Sequence, residues 1–327
     1  MQRGREMPFE AAVGSPGRPD AVWDLASLTK PLAATTVLMT LAAEGRLSPS
    51  DPLARFVPEA AGTDKAALTL ASLLDHSAGL PWWRDYARAA RRALGPGCGG
   101  TPAAREEVLR RVLAEPLTHA PGTKAVYSDL GFMLLDRVIE AAAGVPPDAA
   151  FAARVAAPLG LSRTAFRPPP DWDLVPTSRT ARLRGLVHDG NARVLGGVAG
   201  HAGLFGTAAE VASILAALHA AWAGSRAGPF WPEVVRRFLA RSEVPGSTRT
   251  LGFDTPSASG SLAGDRHPPR LVGHTGFTGT MFWLDLDSGT SLVLLTNRVL
   301  LGAARAPIPR LNDVRRAVCD AVWDAVG

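Results

Sequence analysis

From Leu32 to Ala43 the chain carries its best apolar run, broken only by Thr35, Thr36 and Thr40, with Pro31 just before it and Gly45 just after. Proline has no backbone N–H and its ring clashes with the preceding turn, so a helix accepts it only at the start. The pattern therefore predicts a helix over Ser27–Glu44, with Leu28, Leu32, Val37, Leu38 and Leu41 on its buried face and Gly45 ending it. The run is too short and too rich in hydroxyls to span a bilayer. Such a helix belongs inside a globular core. A composition of 46% hydrophobic and 20% charged residues agrees, and 327 residues allow one large domain or two ordinary ones.

The remaining elements follow from periodicity and punctuation. A short strand is predicted over residues 8–14, a loop over Ser48–Pro58, and a short helix over Leu68–His76 ended by Ala78-Gly79. The Gly-rich stretch Gly95–Pro102 reads as a mobile excursion. Helices are predicted over Ala103–Glu115, Leu130–Ala143, Pro147–Ala157 and Ala208–Ala223. Three short apolar runs near the end, Leu271–Gly273, Thr280–Asp285 and Ser291–Thr296, read as adjacent strands. Asn312–Val326 closes the chain as an amphipathic helix presenting Val314, Val318, Val322 and Ala325. Sheet near both ends and helices between them predict an α+β fold. It has a lobe of mainly antiparallel sheet flanked by helices (about 1–55 and 201–327) and an inserted, mostly helical lobe (about 56–200).

Three short motifs carry chemistry. In Ser27-Leu28-Thr29-Lys30 a spacing of three puts serine and lysine on one helical face, and a helix start favours a forming oxyanion. Serine is a weak nucleophile until a neighbour takes its proton, and burial that lowers its pKa would let Lys30 do so. Of 35 basic residues only Lys30, Lys65 and Lys124 are lysine; Arg cannot deprotonate in a protein, so Lys30 stands out. Lys65 and Lys124 read as surface sites. Tyr127-Ser128-Asp129 precedes the Leu130 helix: the phenol can relay protons, and Asp129 can cap that helix or accept a substrate N–H. In Gly273-His274-Thr275-Gly276-Phe277-Thr278-Gly279, small residues let a strand edge approach a ligand and a backbone N–H build an oxyanion hole. Singly, each has an ordinary reading as a helix cap, a packed aromatic or a glycine turn.

Together and in this order, the motifs resemble those of the serine β-lactamase, penicillin-binding-protein and esterase superfamily, on its class C side. Val22-Trp23-Asp24-Leu25-Ala26, Leu73-Leu74-Asp75-His76-Ser77-Ala78-Gly79-Leu80 and Gly203-Leu204-Phe205-Gly206-Thr207 look like connecting segments of that family. So do Val187-His188-Asp189-Gly190-Asn191-Ala192 and Gly196-Gly197-Val198-Ala199-Gly200-His201. The resemblance implies Ser27 as acylated nucleophile, Lys30 as its activating partner, and Tyr127 as general base or acid. It implies the N–H groups of Ser27 and Phe277 as the oxyanion hole, and Asp129, His274, Thr275 and Gly276 as substrate contacts. Two departures count against β-lactam hydrolysis. Asp129 stands where drug-hydrolysing relatives have Asn, and His274, expected to titrate near neutrality, stands where they have Lys. A third departure is the short segment ahead of Ser27 in the sequence as written; the resemblance then leads one to expect the family's N-terminal helix and strand to be missing and the closing helix to lack a packing partner.

The expected activity is an acyl-enzyme hydrolase acting on small esters, D-amino-acid amides or peptidoglycan-derived peptides. A true β-lactamase or DD-peptidase is one alternative, and a catalytically silent peptide-binding relative is another. No cofactor is implied, and the expected partner is a small-molecule or peptide substrate. The net charge of +5 comes from scattered arginines without a basic stripe, which argues against nucleic acid. His188, Asp189 and His201 lack the spacing and the third ligand of a metal site, so they read as structural hydrogen-bond partners. His76, at a helix end, reads as a carbonyl cap. Cys98 and Cys319 match no metal or redox spacing and read as free thiols. No leader-like apolar segment opens the sequence as written, so the expected location is the cytoplasm, or an exported one if the true start lies upstream.

Overall fold

A computed structural model describes residues 2–3, 9–13, 18–177, 184–301 and 307–326. The predicted strand over 8–14 is not formed: residues 9–13 are irregular, and Pro8 and Gly14 lie outside the described residues. The chain instead makes β1 (Gln2–Arg3), β2 (Trp23–Asp24), α1 (Thr36–Ala43), α2 (Leu70–Leu74), α3 (Tyr86–Leu94), α4 (Pro102–Ala114) and α5 (Asp129–Ala143). Then come α6 (Pro147–Phe151), α7 (Ala157–Leu159), β3 (Ala165–Phe166), α8 (Gly190–Val194), β4 (Leu204–Gly206), α9 (Ala208–Trp222) and α10 (Pro232–Leu239). Strands β5 (Leu271–Thr275), β6 (Met281–Asp285) and β7 (Thr290–Leu294) and helix α11 (Ile308–Val326) end it. The α+β expectation holds.

The helix predicted over Ser27–Glu44 is not uniform. Ala26–Leu28 forms a 3₁₀ turn, Lys30–Thr35 a π-turn, and only Thr36–Ala43 is regular α-helix. Ala26 explains the start: its φ of 49° is left-handed, a geometry that costs an L-residue about 1–2 kcal/mol. The surroundings hold it there. Asp24 Oδ1 accepts from Ala26 N–H at 2.9 Å, and Leu25 N–H donates to Leu204 O at 3.0 Å.

Two antiparallel sheets result, with orders β1-β7-β6-β5 and β2-β4-β3. Strand β6 alternates its faces: Phe282 and Leu284 enter the main core, while Met281 and Trp283 pack with Leu271, Leu292, Cys319 and Trp323 under α11. Both faces are covered, which is why β6 reads as a continuous apolar run. Gly273 sits opposite Trp283, where an added Cβ would lie 2.3 Å from the indole.

Helix α11 has a packing partner after all, namely this sheet, with Trp323 Nε1 donating to Ala263 O at 2.9 Å. Its buried residues are Leu311, Arg315, Cys319 and Trp323; of the predicted face, Val318 and Val322 are half-buried and pack against the same cluster, while Val314 and Ala325 are exposed. The Gly95–Pro102 stretch is packed rather than a free excursion, with Gly100 N–H bonded to Val194 O and Cys98 buried. Both cysteines are free and buried. No helix among the described residues is long and apolar enough to cross a membrane.

Lys65 corrects a surface expectation. It is 2% exposed, and its ammonium bonds Asp64 and the Glu115 carbonyl. Arginine there would force a larger planar group into a filled site, so Lys65→Arg is expected to destabilise by about 1–3 kcal/mol. Lys124→Arg, at an exposed position, is expected to stay within about 0.5 kcal/mol. Urea melts of the two variants measure the contrast.

Candidate active site

Helix α5 begins where the second motif ends, and this brings the motifs together. The N-cap of α5 is Ser128, whose Oγ accepts from Leu130 N–H, so Asp129 is not the cap. Asp129 lies in the first turn and points at Lys30 instead. Lys30 Nζ is fully buried and donates to Asp129 Oδ1 at 2.7 Å, Ser27 Oγ at 3.1 Å and the His201 carbonyl at 3.2 Å. The Tyr127 ring lies over the same ammonium, its centroid 4.8 Å from Lys30 Nζ. Four chemistry-bearing side chains drawn from two distant segments therefore meet at one point.

The charge state of this cluster differs from the sequence expectation. Burial alone would lower the Lys30 pKa, but the Asp129 carboxylate and the Tyr127 phenol outweigh it, and Lys30 titrates above an ordinary lysine. Burial raises Tyr127, with Lys30 only partly offsetting it. The resting cluster is thus an ammonium–carboxylate pair beside a neutral phenol.

His76 does not cap a carbonyl. Its Nδ1 accepts from Ser128 N–H at 3.1 Å, and its ring lies 4.7 Å from that of Tyr127, so it positions the second motif. His274, whose ring lies 5.9 Å from Tyr127, donates from Nδ1 to Thr275 O at 2.8 Å. That bond leaves Nε2 as a buried acceptor without a partner among the described residues. Burial, reinforced by Lys30 and Arg249, drives the His274 pKa well below the ordinary histidine range. His274 is therefore neutral at physiological pH, not a cation titrating near it.

The third motif is tied to the nucleophile turn. Thr278 Oγ1 donates to Asp24 O at 2.9 Å and Thr280 Oγ1 to Leu25 O at 3.1 Å. A Cβ on Gly276 would fall 2.1 Å from Thr280 Oγ1 and 2.9 Å from Leu25 O, so only glycine fits. Phe277 is exposed, with the His188 ring stacked at 5.4 Å and the Arg298 guanidinium 4.3 Å from its centroid. Arg315, from α11, donates through Nη2 to Gly276 O and Thr280 O, both at 2.8 Å. A charged residue four positions from Leu311 and from Cys319, on an apolar face, was the signal that sequence reading passed over.

His201 and Asp189 pair at 3.0 Å through Nε2 and Oδ1. Burial opposes charge on both, but their attraction wins: His201 is raised and Asp189 held far below the usual carboxylate range. Because the His201 carbonyl accepts from Lys30, this pair anchors the floor of the site.

Asp24 links the nucleophile turn to the His188 segment, accepting from Ala26 N–H through Oδ1 and, at 2.7 Å, from His188 N–H through Oδ2. Burial raises its pKa to about 6 against those two bonds. A carboxyl whose folded pKa exceeds its unfolded value contributes stability that is full below about 4 and lost as pH rises through 6. In Asp24→Asn this term is absent, and an amide cannot accept both N–H groups. The stability of wild type relative to Asp24→Asn is therefore expected to increase as pH falls from 7 to 5. Melting curves across that range test it, and a flat difference would remove Asp24 as the titrating group.

Comparison with known proteins agrees with this architecture. The family model described as Beta-lactamase matches residues 2–314. A protein of Escherichia coli (strain K12), provisionally named D-alanyl-D-alanine carboxypeptidase, is 31% identical, covering 90% of this chain and 71% of its own. A penicillin-binding protein homolog from Caulobacter crescentus shares the fold with a TM-score of 0.65 at 20% identity, covering 86% of this chain and 78% of its own. A D-stereospecific amidohydrolase from Streptomyces sp. does so with a TM-score of 0.62 at 22% identity, covering 84% and 81%.

Proposed function

The chain belongs to the beta-lactamase family, and from that premise we propose that this serine hydrolase acts through a Ser27 acyl-enzyme on peptides or amides of D-amino acids. The observation that carries the roles is the fully buried Lys30 ammonium at 3.1 Å from Ser27 Oγ, with the Tyr127 ring centroid 4.8 Å from that ammonium. The name of the Escherichia coli relative and that of the Streptomyces amidohydrolase favour D-amino-acid substrates. We also read residues 56–200 as an inserted helical lobe, which the run of helices α2 to α6 supports.

Ser27 Oγ bonds to the substrate carbonyl carbon and passes its proton to Lys30 Nζ. Lys30 gives one of its own to Asp129 Oδ1, 2.7 Å away. Inside a dry site the neutral lysine–acid pair is accessible because separated charges lose their solvation. The oxyanion is received by the N–H groups of Ser27 and Phe277. When the C–N bond breaks, Tyr127 supplies the proton to the leaving amine and regains one through Lys30, which recovers its own from Asp129. Water then releases the acyl group.

Efficient β-lactam turnover is not expected. Asp129 offers no amide donor, and the buried neutral His274 offers no cation. The test is labelling of wild type by a fluorophosphonate, with the adduct located by mass. An adduct on Ser27 supports the reading. A folded protein that takes no label would instead be a silent peptide-binding relative.

A further inference from the structure

Behind the Phe277 N–H of the oxyanion hole lies a buried cation. That N–H has no acceptor among the described residues, and it shares its peptide group with the Gly276 carbonyl. In a trans peptide the C=O and N–H point in opposite directions, so a group bonded to the Gly276 oxygen lies directly behind the Phe277 donor. Arg315 Nη2 donates to that oxygen and to Thr280 O, both at 2.8 Å, and Nη1 donates to Asn312 Oδ1 at 3.3 Å. The residue is 4% exposed, and no carboxylate pairs with it among the described residues. Arg298 bonds the next carbonyl along, that of Phe277, at 2.7 Å, and so acts on a different peptide.

The fold does not require this charge. Gly276 O already accepts from Gly279 N–H at 3.0 Å, and Thr280 O from Gly276 N–H at 2.7 Å, so neither carbonyl would be left bare without it. A buried ion without a counterion is costly, and an apolar side chain of similar volume often serves a fold as well. What the guanidinium adds is polarisation. A hydrogen bond to a carbonyl draws electrons from the amide nitrogen and makes its N–H a stronger donor. The effect is larger when the bond is charge-assisted and the surroundings are dry. We propose that Arg315 polarises the Gly276–Phe277 peptide and thereby strengthens Phe277 N–H as a donor to the developing oxyanion. Arg315 is a positioning residue: it acts through the peptide and touches no substrate atom. The inference rests on the Ser27 hydrolase reading above and gives the closing helix α11 a part in the reaction.

The test follows inactivation by a fluorophosphonate, in which Ser27 Oγ bonds to phosphorus, fluoride leaves and the phosphonyl oxygen takes the oxyanion position. Losing an oxyanion donor outright costs about 100- to 1000-fold, and polarisation contributes about 10–30% of a bond. The limiting inactivation rate of Arg315→Met is therefore expected to fall about 2- to 10-fold, with the reversible affinity for the reagent unchanged. The phosphorus NMR shift of the stable Ser27 adduct is expected to move with it. Arg315→Lys keeps the charge and is expected to lie nearer wild type in both readouts. Arg315→Gln keeps only a neutral donor and is expected to lie nearer Arg315→Met, whereas a bond that merely held the turn would survive in it.

A wild-type rate and phosphorus shift in Arg315→Met overturn the polarisation, as does a loss confined to reagent affinity. If Arg315→Met does not fold, Arg315→Gln and Arg315→Lys decide, and a rate no higher in Lys than in Gln is equally fatal. Failure of the hydrolase reading shows itself separately, as a wild-type protein with no Ser27 adduct.

Discussion

Ser27→Ala is expected to abolish fluorophosphonate labelling and to lower hydrolysis by at least about a thousandfold. The variant deletes one oxygen and should leave the left-handed Ala26 turn intact, because that turn is held by Asp24, Thr278 and Thr280 and not by the serine side chain. A folded variant with unchanged turnover would move the nucleophile elsewhere. The oxyanion hole survives the substitution, so a small residual rate is expected and does not count against the assignment.

The second large effect concerns Lys30. Its ammonium meets Ser27 Oγ, Asp129 Oδ1 and the His201 carbonyl, under the Tyr127 ring at 4.8 Å, with no exposed surface. Lys30→Arg keeps the charge and can still pair with Asp129. Yet it cannot release a proton, and its fork exceeds the space. Acylation by Lys30→Arg is therefore expected to fall nearly as far as that of Lys30→Ala, by about a thousandfold. Near-normal acylation by Lys30→Arg at neutral pH would make the lysine an electrostatic prop and leave Tyr127 to carry the proton alone.

The Asp129→Asn variant examines the same pair from its other side. Asp129 is what lifts the Lys30 pKa against burial, so its removal should lower that pKa. The rise of acylation rate with pH is then expected to shift to lower pH, a displacement read directly from the profiles of wild type and variant.

The expectation of a depressed Lys30 pKa failed for an instructive reason. Lys30 is buried, the condition that expectation set, but the sign of the shift depends on what is buried alongside. Asp129 is 99 positions away in sequence and 2.7 Å away in space. The same holds for His274, whose neutrality follows from burial and from two cations, Lys30 and Arg249, contributed by other segments. The closing helix was located, yet the centre of its buried face was not: of the predicted residues only Val318 and Val322 pack there, at its edge. Arg315 lies on that face because two carbonyls of the third motif, at 2.8 Å, make its burial tolerable.

What the sequence determined by itself was local or combinatorial. Pro31 set where the first helix could begin, the apolar runs set the three strands, and the order of three motifs gave the family. A single polar residue type at a fixed spacing is enough for such inferences, because helix and strand periods are properties of the backbone. Tertiary structure alone decided the electrostatics. Arg249 sits in a loop without pattern, and Asp24, His76, His201 and Asp189 become supports of the site only when chain folding sets them against Ser27, Lys30 and Tyr127. Charge interactions run through space rather than along the chain, so a sequence can name the reacting groups without fixing their protonation.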